Sequence, residues 1–263
     1  MRSLIDRICF SPSTHVISCN KDELIIAAPW GKIQVWRQRN IPGLVNKTKP
    51  ADIYVLRFLG GRGRAELATL DPADRLPGMA AEVWTVNVPG FGGSSNEARI
   101  SLYPQTVMSV VDALIEASEG RPIWVTGKSI GTAAALLAAT RSEVTTVILR
   151  NVMPMKELIK RRHSWWNAGL FSAWLNRQIP VELDAITNAK RCKARALFLV
   201  SSRDSLVPPA LQHLVIDNYL GPKNVIYVAG DHDERVLSHA DEEKYRTALK
   251  GFFCNACQPA SDN

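Results

Sequence analysis

Short runs of β-branched and other apolar residues recur along the chain, each bounded by proline, glycine or polar positions. The first two, at 24–28 and 33–36, flank Pro29-Trp30-Gly31 and predict a hairpin. Runs at 53–59, 83–88, 123–126, 144–149, 196–201 and 225–229 predict six more strands. Several are apolar throughout, as strands covered on both faces are. Between them the period changes. Over 105–116, Val107, Val110, Val111 and Leu114 fall at i, i+3, i+4 and i+7, the stripe of an amphipathic helix. An alanine- and leucine-rich stretch at 130–139 predicts a second helix, and 234–253 a last one. Alternating strands and helices imply βαβ units. The expected fold is α/β: a mostly parallel twisted sheet of about eight strands, helices on both faces, and an antiparallel N-terminal hairpin.

No internal repeat or low-complexity linker divides the sequence, so residues 1–263 read as a single domain. The segment 151–193 breaks the rhythm, being basic, tryptophan-rich and placed between two strands. It reads as an insertion forming a small helical lid. Within it Ile159, Trp166, Leu170 and Trp174, spaced by seven, four and four, predict one apolar helix face. Lys156, Lys160, Arg161 and Arg162 cluster at its start. Two readings follow. The stripe packs on the body with a solvated basic end, or Trp166, Leu170 and Trp174 line a pocket while the basic end meets an anionic surface or substrate.

Composition removes several classes. With 263 residues and 46% hydrophobic content the chain can bury a sizeable core, and it is too apolar for disorder. No run approaches the ~18–20 apolar residues of a membrane-spanning helix. Val16-Ile17-Ser18-Cys19 looks like a lipoprotein box, but Asp6, Arg7, Ser11, Pro12 and His15 interrupt the apolar region a secretory signal needs. Five scattered cysteines, an odd count, predict a reducing compartment and hence a cytoplasmic location. Cys254 and Cys257 form one CxxC without the second pair of a zinc site. A net charge of +7 favours anionic partners, yet no nucleic-acid-binding motif accompanies it.

The chemistry concentrates in Ile123-Trp124-Val125-Thr126-Gly127-Lys128-Ser129-Ile130-Gly131-Thr132. A phosphate-binding GxxxxGK[ST] loop needs a glycine where Pro122 stands, and the strand runs up to Gly127, so that reading fails. The stretch instead reads as strand–turn–helix with Ser129 at the tip of GxSxG. Glycines 127 and 131 free the bend of side chains, and the N–H of Ile130 lies ready to stabilise an oxyanion. A serine nucleophile needs a base and an orienting carboxylate. His232 follows the last strand, at the same sheet edge as Ser129, and Asp204 follows the strand before. Asp231 and Asp233 adjoin His232 too closely to turn back onto its ring.

Serine, aspartate and histidine in this order and spacing resemble the α/β-hydrolase superfamily, over roughly residues 22–253. Asn87-Val88-Pro89-Gly90-Phe91-Gly92-Gly93-Ser94 is similar to the family's [DN]xPGxGxS turn after its fourth strand. Phe58-Leu59-Gly60-Gly61-Arg62 is similar to the loop carrying the second oxyanion donor. The resemblance implies the N–H of Arg62 as that donor, with Gly61 a close alternative. Gly60 stands where the family usually has histidine. Lys128 is unusual beside the nucleophile, and either biases the site toward an anionic group or faces solvent. The implied reaction is acyl transfer to water without metal or organic cofactor: a serine hydrolase cleaving an ester or thioester through an acyl-enzyme. An amidase or peptidase on the same fold, and a non-catalytic binding module, are the alternatives.

Overall fold

A computed structural model of the chain describes residues 2–40, 50–76, 78–163, 169–234 and 236–256, the last four by backbone alone. The strands are β1 (Asp22–Ala28), β2 (Gly31–Asn40), β3 (Ile53–Phe58), β4 (Ala81–Asn87), β5 (Ile123–Lys128), β6 (Val144–Arg150), β7 (Arg195–Ser201) and β8 (Lys223–Val228). They form one sheet in the order β1-β2-β4-β3-β5-β6-β7-β8. β1, β2 and β4 pair antiparallel, and every later pairing is parallel. Around it run α1 (Leu4–Cys9), α2 (Tyr103–Ser118), α3 (Gly131–Ala138), α4 (Met155–His163), α5 (Leu170–Asn176), α6 (Ala185–Ala189), α7 (Pro209–Ile216) and α8 (His239–Ala256).

Strand periodicity divides the core in two. Leu56, Phe58, Val125, Leu149 and Phe198 face α2 and α3, where Val107, Val110, Leu114 and the alanines of α3 meet them. Val55, Val83, Trp124, Ile148 and Leu197 face Tyr245 and Leu249 of α8. The sheet order reverses between β3 and β5, since β3 leads outward to β4 and β5 outward to β6. A crevice opens beyond the carboxyl ends of such a strand pair.

Three elements differ from the sequence expectations. β2 continues past Trp36, where the expected run ends, through Arg37-Gln38-Arg39-Asn40. Pairing with the fully buried β4 carries it on, and Arg39 Nε donates to Glu82 at 2.5 Å. α8 starts at His239 rather than 234, where the Ser238 hydroxyl accepts the N–H of Asp241 at 3.2 Å. α1 was not expected, although Ser3 and Asp6 form a reciprocal capping box that its sequence carries. Among the described residues no helix is long and apolar enough to cross a membrane.

Candidate active site

The bend after β5 is held from both sides. Ser129 N–H donates to the Arg150 carbonyl at 3.0 Å, and Ser129 itself sits at φ 56°. Left-handed backbone costs a residue with a Cβ roughly 1–2 kcal/mol, so the surrounding packing imposes it. A Cβ at position 127 would lie 2.5 Å from the Gly131 carbonyl oxygen, and one at 131 would lie 2.3 Å from that of Phe58. Glycine at both positions therefore lets β5, α3 and the end of β3 approach at backbone distance.

This bend presents Ser129 Oγ 2.8 Å from His232 Nε2, while His232 Nδ1 lies 2.7 Å from Asp204 Oδ2. His232 and Asp204 are buried and Ser129 is partly exposed. Asp204 is oriented by its remaining bonds. Its Oδ1 accepts the N–H groups of Leu206 at 3.0 Å and Val207 at 2.7 Å, and its Oδ2 accepts Gln212 Nε2 at 3.3 Å. Asp231, which adjoins the histidine, ties the two loops together. It accepts the N–H of Ser205 and its own neighbour's N–H, each at 2.7 Å. Asn151, buried at φ 54°, donates from Nδ2 to the His232 carbonyl at 3.2 Å and accepts the Ser201 N–H at 3.0 Å. Asn151 and Gln212 carry no short-range sequence signal for these roles.

Ile130 N–H, at the start of α3, and the N–H groups of Gly61 and Arg62 make no hydrogen bond among the described residues. A turn from Gly63 N–H to the Gly60 carbonyl, 2.8 Å, brackets Gly61 and Arg62. A Cβ at position 60 would lie 3.7 Å from Ser129 Cβ, which places this loop against Ser129. The segment just after α1 backs it: Ser11 N–H donates to the Gly61 carbonyl at 2.8 Å.

A cleft of about 950 Å³ opens over Ser129 and His232. From the 151–193 segment it is lined by Met153, Met155, Leu158, Ile159, Arg162 and His163. Leu170 and Trp174, expected as lining residues, are instead 73% and 50% exposed and do not border the cleft. They belong to α5, whereas Ile159 belongs to α4, so the expected single stripe is split between two helices. Trp174 stacks on Phe171, which meets the cleft residue His163 edge to face. Trp166 and Cys257 lie outside the described residues, and so does the side chain of Cys254. Of the other histidines, His15 bonds Ser13 and His213 stacks on Tyr227. Neither borders the cleft. Cys9, Cys19 and Cys192 are free thiols, and burial pushes those of Cys9 and Cys192 up to about 12.

No protein-family model matches the sequence, and no curated protein matches it. Solved structures do match. An alpha/beta fold family hydrolase from Bacillus anthracis str. Sterne superposes with a TM-score of 0.57 at 15% identity, covering 88% of this chain and 99% of that one. This protein has the α/β-hydrolase fold. An acetyl xylan esterase from Paenibacillus sp. R4 shares the fold with a TM-score of 0.64 at 17% identity, over 87% of this chain and 83% of that one. A Pyrococcus furiosus esterase does so with a TM-score of 0.66 at 12% identity, over 94% and 98%. At such identities the likeness concerns the α/β-hydrolase fold, and activity must be argued from the site.

Proposed function

We propose that this α/β-hydrolase-fold protein is a serine hydrolase that cleaves a carboxylic ester or thioester. The observation that carries the reading is the unbroken hydrogen-bonded series Asp204–His232–Ser129, 2.7 and 2.8 Å, at the wall of an open cleft. Attack of Ser129 Oγ on the substrate carbonyl passes its proton to His232 Nε2. Asp204 holds Nδ1–H and stabilises the imidazolium that forms. The N–H of Ile130 and that of Arg62, or of its neighbour Gly61, receive the developing negative charge, a contribution of about 2.7–4 kcal/mol per donor. His232 returns the proton to the leaving group. Water, deprotonated by the same imidazole, then releases the acyl group from Ser129. The apolar wall of Met153, Met155, Leu158 and Ile159 supports an acyl chain as the bound group and the 151–193 segment as a cap. The free thiols of Cys9, Cys19 and Cys192 support a reducing, cytoplasmic setting.

Ser129→Ala is expected to lower kcat on 4-nitrophenyl esters by at least about 10⁴-fold and to abolish labelling by a fluorophosphonate probe. Unchanged turnover in that variant would refute the reading. A parallel panel of amide substrates separates an amidase from an esterase.

A further inference from the structure

The cleft extends past Ser129 to the other side of the sheet. Leu56, Phe58 and Leu149 point toward α2 and α3, so their neighbours Arg57 and Arg150 point toward α8. Arg57 pairs in register with Thr126, and Arg150 with Lys128. All four line the cleft. Adjacent strands lie ~4.8 Å apart, so two arginines separated by β5 bracket Thr126 and Lys128. Among the described residues seven arginines and lysines border the whole cleft against three aspartates.

Three carboxylates on this side gather on Arg75, and one of them also pairs with Arg57. Asp71, Asp74 and Glu242 converge on Arg75 at 2.9, 2.8 and 2.8 Å. Asp71 also accepts the Tyr245 hydroxyl at 3.0 Å and lies 3.9 Å from Arg57. Arg150 is different. Its Nη2 donates to the Glu234 carbonyl at 2.7 Å, its buried Nε has no hydrogen-bond partner, and it forms no ion pair among the described residues. Burial pulls its pKa below the ordinary value. Asp71 and Glu234 act on it only through space, and a partly buried cation with no carboxylate in contact is costly to keep. Planar guanidinium forks match carboxylate and phosphate oxygens.

We propose that Arg150, flanked by Lys128 and Arg57, forms an oxyanion subsite that receives a carboxylate or phosphate carried by the substrate. This rests on the serine-hydrolase reading above. The bland competitor is that Arg150 merely fastens the histidine loop through Glu234.

The test compares 4-nitrophenyl half-esters of adipic and suberic acid with the neutral hexanoate and octanoate esters at low ionic strength. The wild-type protein should favour the charged member of each pair by about tenfold in kcat/KM. Arg150→Gln keeps a donor for the Glu234 carbonyl but removes the charge, and should bring the ratio close to unity. Arg150→Lys should restore part of it. A wild-type ratio of unity, or equal losses on both esters in Arg150→Gln, overturns the subsite while leaving the hydrolase reading intact. If neither ester is cleaved, the hydrolase reading fails and calorimetry decides the subsite. Ser129→Ala protein is titrated with adipate and with inorganic phosphate. Saturable binding abolished by Arg150→Gln supports the site and shows which oxyanion it takes. Absence of binding to both overturns it.

Discussion

Ser129 carries two demands that conflict, the hydroxyl that the proposed reaction requires and a backbone conformation suited to glycine. The conflict is measurable. Ser129→Gly should be about 1 kcal/mol more stable toward urea than Ser129→Ala, because only alanine retains the strained Cβ. Neither should turn over esters. At Asp204 the two oxygens do separate work, one on backbone N–H groups and one on His232 and Gln212. In Asp204→Asn the amide oxygen can keep the backbone bonds, which turns its NH₂ toward His232 Nδ1. The ring then carries its proton on Nε2 and cannot accept one from Ser129. A loss of about 10⁴-fold in kcat with little change in the urea midpoint is expected. The convergence of Ser129, His232 and Asp204 was legible in the sequence because each follows a strand at one sheet edge and the serine sits in a spaced glycine pattern. Asn151, Gln212 and Arg150 were not. Their significance comes from partners 50 or 81 residues away for Asn151 and from the want of a carboxylate for Arg150.

At the scale of elements, the turn after β4 shows why a motif can be structural. Asn87 Oδ1 accepts the N–H of Ala65 at 2.9 Å, and its Nδ2 reaches Gln34 at 2.7 Å and Glu66 at 3.1 Å. A Cβ at position 92 would lie 2.2 Å from that Nδ2, so glycine is required there. Glu66 in turn is bound by Arg64 at 2.6 Å. Burial alone would raise the Glu66 pKa. The Arg64 hydrogen bond, a backbone N–H and Asn87 outweigh it and hold the carboxyl below the usual range. A lowered folded-state pKa contributes stability above the unfolded value, about 4.3, and loses it as pH falls through the folded value. Urea midpoints should therefore drop below about pH 4.3 more steeply in the wild type than in Glu66→Gln. At pH 7 that variant should be destabilised by about 3–5 kcal/mol, since it leaves Arg64 buried without its partner. Strand and helix types were readable from periodicity, but their ends were not: tertiary pairing lengthens β2 and a serine cap delays α8. The seven-four-four stripe misled because a regular spacing does not reveal that the chain leaves one helix and begins another.

Across the whole molecule, strand order does most of the positioning. The reversal between β3 and β5 sets the loop after β3 against the bend after β5, and the parallel run to β8 brings the loops of Asp204 and His232 to the same edge. That architecture was legible because alternating buried strands and helices admit few right-handed arrangements. The cleft's reach to both sheet faces was not, since it depends on which side chains fill the space. One further consequence lies in the sequence separation of 103 positions from Ser129 to His232. Chains emerge from the ribosome amino end first, so the hydroxyl is made long before the imidazole proposed to take its proton. While β8 is still unmade, the alcohol has no proton acceptor and is chemically quiet. On the proposed mechanism, reactivity thus waits for the last strand and the loop after it, and a nascent chain is spared its own chemistry.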